Sequence, residues 1–185
     1  MNRICDFMIG KSSKKMMIIS TIVFVLFMIV VLPRVSAYTE DVTGSSNSPD
    51  TSLIYSSDDL FDIAETYGQV GRNAYIILRL TFDVIWPIVY FMFLASLTGF
   101  LLQKLDVKKE YKLLILLPLF GLIFDYLENI ASVVVMYKYP IEMLFFANSA
   151  PVMTLLKWIF IGLGFICVIL LLFMLLIKKV YKRIS

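Results

Sequence analysis

Four apolar runs, each near the length that crosses a lipid bilayer, leave this chain few folds to choose from. They are Met16–Leu32, Leu80–Leu102, Leu113–Met136 and Val152–Ile177, separated by polar or basic stretches. A hydrocarbon core about 30 Å thick takes roughly 20 helical residues, so the first run, at about 17, lies at the lower limit. Lipid offers no partner to a bare N–H or C=O, and such runs therefore fold as helices. Composition agrees: 60% of residues are hydrophobic and 17% are charged, outside the usual range of a soluble domain. The expected fold class is all-α, an integral membrane four-helix bundle with a short outer-surface interfacial helix.

The chain divides accordingly. Residues 1–15 form a basic lead-in, and 16–33 are a first membrane helix or a signal sequence. Val35-Ser36-Ala37 places small residues where a signal peptidase would read them, and both readings stay open. Residues 34–57, rich in Ser, Thr, Asp and Gly, read as a flexible external connector. The membrane domain, 58–185, comprises an interfacial helix at 58–77 and spans at 80–102, 113–136 and 152–177. In the interfacial helix, Leu60, Ile63, Ala64, Tyr67, Val70, Ala74 and Leu78 recur at steps of three and four. Ser56 and Asp59 have capping-box spacing, and Gly68 and Gly71 suggest a bend before the membrane.

Charge sets the sidedness. The lead-in, the loop Gln103–Lys112 and the tail hold Arg3, Lys11, Lys14, Lys15, Lys104, Lys108, Lys109, Lys112, Lys178, Lys179, Lys182 and Arg183. The segments on the other side hold Arg34, Arg72, Arg79 and Lys138. Lys and Arg collect on the cytoplasmic side, so both termini are expected there, in the plasma membrane, if the first helix is retained. These clusters suit anionic headgroups, making membrane lipids the expected partners and nucleic acid not one. The chain contains no histidine, which removes His-dependent catalysis and His-containing zinc sites. Cys5 lies in the lead-in and Cys167 deep in the last run, so a disulfide between them is not expected.

The polar residues inside the apolar runs are the candidate site. The third run carries Asp125, Glu128 and Asn129; Asp83 lies in the second and Lys157 in the fourth. A charge at the bilayer centre costs about 2.5–3.5 kcal/mol on insertion scales. Helical spacing puts Gly121, Asp125, Glu128, Asn129 and Ser132 on one face. With the topology above, Asp83, Glu128, Asn129 and Lys157 share the outer half of the membrane, where unlike charges are expected to pair. Pro87 has no N–H to give the Asp83 carbonyl four residues back. A cation, a water, Lys157 or the Asn129 amide would satisfy that carbonyl. Asp125 and Glu128, one turn apart, resist joint ionisation. The same set also reads as a buried ion-pair network that only fixes helix register. Ala95-xxx-Gly99 and Gly162-x-Gly164 read as close-packing positions between helices.

Three segments carry a resemblance: Ala64–Tyr75 (AETYGQVGRNAY), Thr81–Tyr90 (TFDVIWPIVY) and Phe124–Asn129 (FDYLEN). They resemble a family of small, uncharacterised prokaryotic multipass membrane proteins, over roughly Leu60 to Ile177 by span architecture. That family carries no established activity, so the resemblance implies an architecture and no chemistry. The expected function is a multipass membrane protein with an outer-leaflet polar pocket that binds a small cation, proton or polar headgroup, with transport as its use. The alternative is a non-catalytic membrane assembly or interaction protein, with a homo-oligomer or another membrane subunit as partner. No catalytic residue, metal ligand or cofactor is assigned, and the pattern argues more against an enzyme than for one.

Overall fold

The computed structural model describes residues 2–44, 49 and 54–184, and no strand occurs among them. In chain order the elements are α1 (Asn2–Lys11), α2 (Lys14–Leu26), a π-helical turn (Phe27–Val31) and α3 (Leu32–Thr43). Then come α4 (Ser57–Thr66), α5 (Gly68–Leu80), α6 (Phe82–Leu105), a 3-10 segment (Lys109–Leu116), α7 (Leu117–Lys138) and α8 (Leu144–Ile184). Four stretches are long and apolar enough to cross a membrane: Lys14–Thr43, Gly68–Leu105, Lys109–Lys138 and Leu144–Tyr181.

Several boundaries differ from the sequence expectation, each for a local reason. Pro33 does not close the first helix. It falls at the start of α3, directly after the π-helical turn in which the Leu32 N–H reaches back to the Phe27 carbonyl, and that turn absorbs the change of register. The helix therefore continues to Thr43 and ends on Gly44 at φ 67°, so residues 34–43 of the expected connector are helical. Most of the remainder of that connector lies outside the described residues. The helix expected at 58–77 is two helices, broken where Gly68 takes φ 56°. Gly71 serves packing instead: a Cβ there would meet the Tyr67 Cβ at 3.0 Å and the Thr43 Cα at 3.4 Å. Pro151 lies inside α8 rather than before it. Only one backbone bond, to the Ala147 carbonyl, is forfeited, and a helix in apolar surroundings continues because unwinding would release several more.

The chain forms two compact units. The first comprises Met1–Phe24, Val89–Gly121 and Ile159–Ser185. Here Ser13 caps α2 by accepting the Met16 N–H, and Gln103 of α6 donates to the Ile9 carbonyl at the end of α1. Lys112 pairs with Asp6 at 2.8 Å, which ties α1 to the 3-10 segment. Ser20 and Ser96 share a hydrogen bond of 2.6 Å between α2 and α6. One turn along, Phe24 stacks on Phe93 with centroids 4.3 Å apart. Lys178 donates to the Leu105 carbonyl, supplying a cation at the C-terminus of α6. The expected close packing at Ala95-xxx-Gly99 is present, since a Cβ on Gly99 would lie 2.2 Å from the Ser12 Oγ. Of Gly162-x-Gly164, only the second packs closely: a Cβ on Gly164 would lie 3.3 Å from the Leu94 Cδ1, whereas one on Gly162 meets nothing within 4 Å. Cys5 and Cys167 are both free and buried.

The second unit comprises Val25–Ile88 and Leu122–Trp158. The amphipathic face of α4 supplies Leu60 and Ala64, which pack with Tyr67, Tyr75, Ala131, Val135, Met136, Ala147 and Ala150. The Ser56–Asp59 capping box forms as its spacing suggests, with the Asp59 carboxylate accepting from the Ser56 N–H at 2.7 Å and the Ser56 Oγ accepting from the Asp59 N–H at 3.2 Å. Arg72 is buried on α5, donating to the Ala64 carbonyl at 2.7 Å and lying 4.6 Å over the Tyr139 ring.

Two predictions arise from these contacts. Gly99→Ala forces a Cβ into the Ser12 side chain and is expected to destabilise by about 1–3 kcal/mol, the usual range for overpacking. Adding Ser12→Gly should restore most of the loss in a thermal unfolding measurement. The Ser56 N–H and hydroxyl hold the Asp59 carboxyl below its ordinary value of 3.8. Because the folded value is the lower one, its contribution is complete above pH 3.8 and is lost as pH falls through the folded value. Hydrogen-exchange protection of α4, normalised to α6, should therefore drop in that window in the native protein and stay flat in Asp59→Asn.

Candidate functional site

The face of α7 singled out by helical spacing is the face that is buried. Gly121, Asp125, Glu128, Asn129 and Ser132 are all buried, while Ile123, Leu127 and Ile130 on the other side are exposed. A helix long and apolar enough to cross a membrane thus turns its carboxyls inward and its isoleucines outward.

Lys157 of α8 meets this face. Its ammonium lies 3.7 Å from the Asp125 Oδ1 and in closer contact with the Glu128 Oε2. The three residues retain only 4%, 5% and 0% of their exposure, in the order Lys157, Asp125, Glu128. One turn before Lys157, the buried Thr154 donates to the Ala150 carbonyl and shares a 3.0 Å hydrogen bond with the Tyr55 hydroxyl. Taking two such charges out of water costs several kcal/mol per ion, which only close pairing offsets.

A second arm joins α5, α6 and α7. The Arg79 Nη1 donates to the Asn129 Oδ1 at 2.7 Å and lies 3.3 Å from the Asp83 Oδ2. Its guanidinium rests over the Tyr75 ring at 4.6 Å. The Asn129 amide turns its other end to α6, where its Nδ2 donates to the Asp83 carbonyl at 3.2 Å. That is the carbonyl deprived of its helical partner by Pro87, and of the groups named for it from sequence the Asn129 amide takes the place. The Tyr126 hydroxyl, one turn earlier on α7, donates to the neighbouring Val84 carbonyl at 2.8 Å. Asn129 thus bridges a guanidinium and a proline gap with one planar group.

All five sequence candidates, Asp83, Asp125, Glu128, Asn129 and Lys157, fall in the second unit with defined partners. Their grouping differs from one expectation. Lys157 serves Asp125 and Glu128, while Asp83 takes Arg79, which was outside the candidate set. The signal for Arg79 was present, since 79 and 83 stand one helical turn apart, the spacing of an ion pair on a helix. Tyr126 was missed because a tyrosine three residues before Asn129 has no distinguishing pattern until Pro87 is seen opposite. No cluster of three or more carboxyl or thiol groups converges among the described residues, so the two carboxylates of α7 are not part of a larger acidic cage there.

No family model, curated protein or solved structure matches this chain. The site is therefore read from its own geometry.

Asn129→Ala is expected to cost about 1–3 kcal/mol, the penalty of leaving buried polar groups unsatisfied. Pro87→Ala returns an N–H to the Asp83 carbonyl, so part of that cost should vanish in the Pro87→Ala background. A double-mutant cycle on detergent-solubilised protein checks this, with additive losses as the contrary result.

Proposed function

We propose that this chain is an integral membrane protein, four spans with both termini cytoplasmic and α4 at the outer surface, that binds a small cation at the Asp125–Glu128–Lys157 cluster as a step in transport. The observation that carries the reading is one ammonium facing two carboxylates, all three almost fully buried. A network serving only to fix helix register needs one carboxylate per cation, as the Arg79–Asp83 pair illustrates. Lys157 instead faces two carboxylates, and ionisable groups buried within apolar spans recur along ion and proton pathways. The basic loops support the orientation by the distribution of Lys and Arg. Lipid is the expected partner of the first span, whose most apolar window is 6% buried against 50% for that of Gly68–Leu105. The same exposed face leaves room for a second subunit, which supports assembly as the other reading.

In proteoliposomes containing the purified chain, proton and sodium fluxes are measured with internal dyes. Asp125→Asn and Glu128→Gln should each reduce the flux carried by the native protein on the order of tenfold or more, about 1.4 kcal/mol per factor of ten. Flux unchanged in both variants, with both still monodisperse, removes the transport reading and leaves the cluster a structural one.

A further inference from the structure

We infer that the cleft between α1 and the 3-10 segment of the first unit binds the phosphodiester of an anionic phospholipid, held by Lys109 and Lys112 with its acyl part along Leu113. This rests on the membrane orientation proposed above, with the basic loops cytoplasmic, and is independent of the Asp125–Glu128–Lys157 cluster.

Charge is divided unequally within the chain. The first unit holds twelve of the seventeen Lys and Arg and three of the fourteen Asp and Glu, a net of +9. The second unit, with five against eleven, stands at −6, and the two together give the modest +3 of the whole chain. The three acids of the first unit are Asp6, Asp106 and Glu110. A strongly basic surface beside a bilayer attracts anionic headgroups.

Within that surface one place is shaped to hold a headgroup. The cleft is lined by Cys5, Asp6, Lys109, Lys112 and Leu113, and neither Asp106 nor Glu110 lines it. Lys112 donates to the Asp6 carboxylate at 2.8 Å. That hydrogen bond and the Lys112 charge hold the Asp6 carboxyl below its ordinary value of 3.8, and the Lys109 charge acts in the same direction. Two ammoniums therefore converge on one carboxylate, and the cleft is net positive. Each ammonium has three N–H donors, so Lys112 keeps donors beyond the one given to Asp6. Lysine is a point-charge binder of phosphate.

Leu113 favours a phospholipid over a free phosphate. It is 40% exposed and opens the apolar run of the third span, so the cleft passes from ammonium to hydrocarbon within one residue. Tyr111 beside it is 55% exposed, an amphipathic ring of the kind enriched at the headgroup level. A soluble anion would use the charged end alone, whereas a phospholipid uses both.

Native mass spectrometry of the detergent-purified full chain, titrated with dioleoylphosphatidylglycerol, dioleoylphosphatidylcholine or inorganic phosphate, resolves each adduct. The native protein should take up one phosphatidylglycerol in preference to phosphatidylcholine, by about fivefold for each lysine engaged. Lys109→Gln with Lys112→Gln should abolish that preference. Lys14→Gln with Lys15→Gln, which removes the same charge from the start of α2, should keep it. Asp6→Asn should raise it, because the carboxylate no longer competes with the phosphodiester for Lys112. Equal loss in the two double variants, or no loss in either, overturns the site, as does an Asp6→Asn variant with no gain. Inorganic phosphate bound as tightly as phosphatidylglycerol overturns the lipid as its occupant. No anionic preference in a native chain that still carries phosphatidylcholine overturns the inference and leaves the membrane reading standing. A chain that stays monodisperse without detergent or lipid overturns both. The native and Asp6→Asn titrations decide the matter even if a double variant fails to fold.

Discussion

The contact on which the second unit depends is the ammonium of Lys157 against the carboxylates of Asp125 and Glu128. For helices in lipid, as proposed here, there is little hydrophobic drive for association, because lipid tails are as apolar as leucine. Position is decided instead by groups that cannot be left unpaired. Removing one partner of a buried ion pair costs about 3–5 kcal/mol, so the contacts of Lys157 with Asp125 and Glu128 favour this rotation of α8 against α7. The buried face of α7 and the exposure of Ile123, Leu127 and Ile130 follow from the same requirement.

Pro87 shows how the remaining polar groups are organised around backbone rather than side chains alone. A proline inside α6 releases the Asp83 carbonyl, and α7 answers it with Asn129 while Tyr126 takes the Val84 carbonyl beside it. Asn129 also receives Arg79, so a single amide links a defect in one helix to a cation on another. The first unit solves its own packing differently. There a hydroxyl pair, Ser20 with Ser96, and the absence of a side chain at Gly99 bring backbones close, the small-residue and hydroxyl mode of helix association. Buried ion pairs organise the second unit, whereas the Lys112–Asp6 pair of the first is exposed and its helices meet through hydroxyls and small residues.

Much of this was legible beforehand, and the reason differs from element to element. Runs of apolar length and the 3.6-residue period are local properties, so the helices and the inward face of α7 could be read directly. The capping box at Ser56 and Asp59 is likewise set by residues three apart. Helix ends were harder to read, because Pro33 and Pro151 are breakers only if the surrounding backbone has another partner available. In apolar surroundings it has none, and the helices run on. Gly162 was misread for a related cause: a small residue marks close packing only where a neighbouring helix approaches, as one does at Gly99 and not at Gly162.

What the sequence by itself determined is that Asp83, Asp125, Glu128, Asn129 and Lys157 stand within apolar helices and, being costly there, must find partners. Which partners they find was decided only by the tertiary structure. Pairing depends on the rotation and tilt of each helix, set jointly by every contact along it, and no local pattern encodes that sum. Arg79 rather than Lys157 answers Asp83, Asn129 fills the gap left by Pro87, and Lys157 is drawn to two acids at once. The fold gives Arg79 one acid and Lys157 two, a division that no local pattern announces.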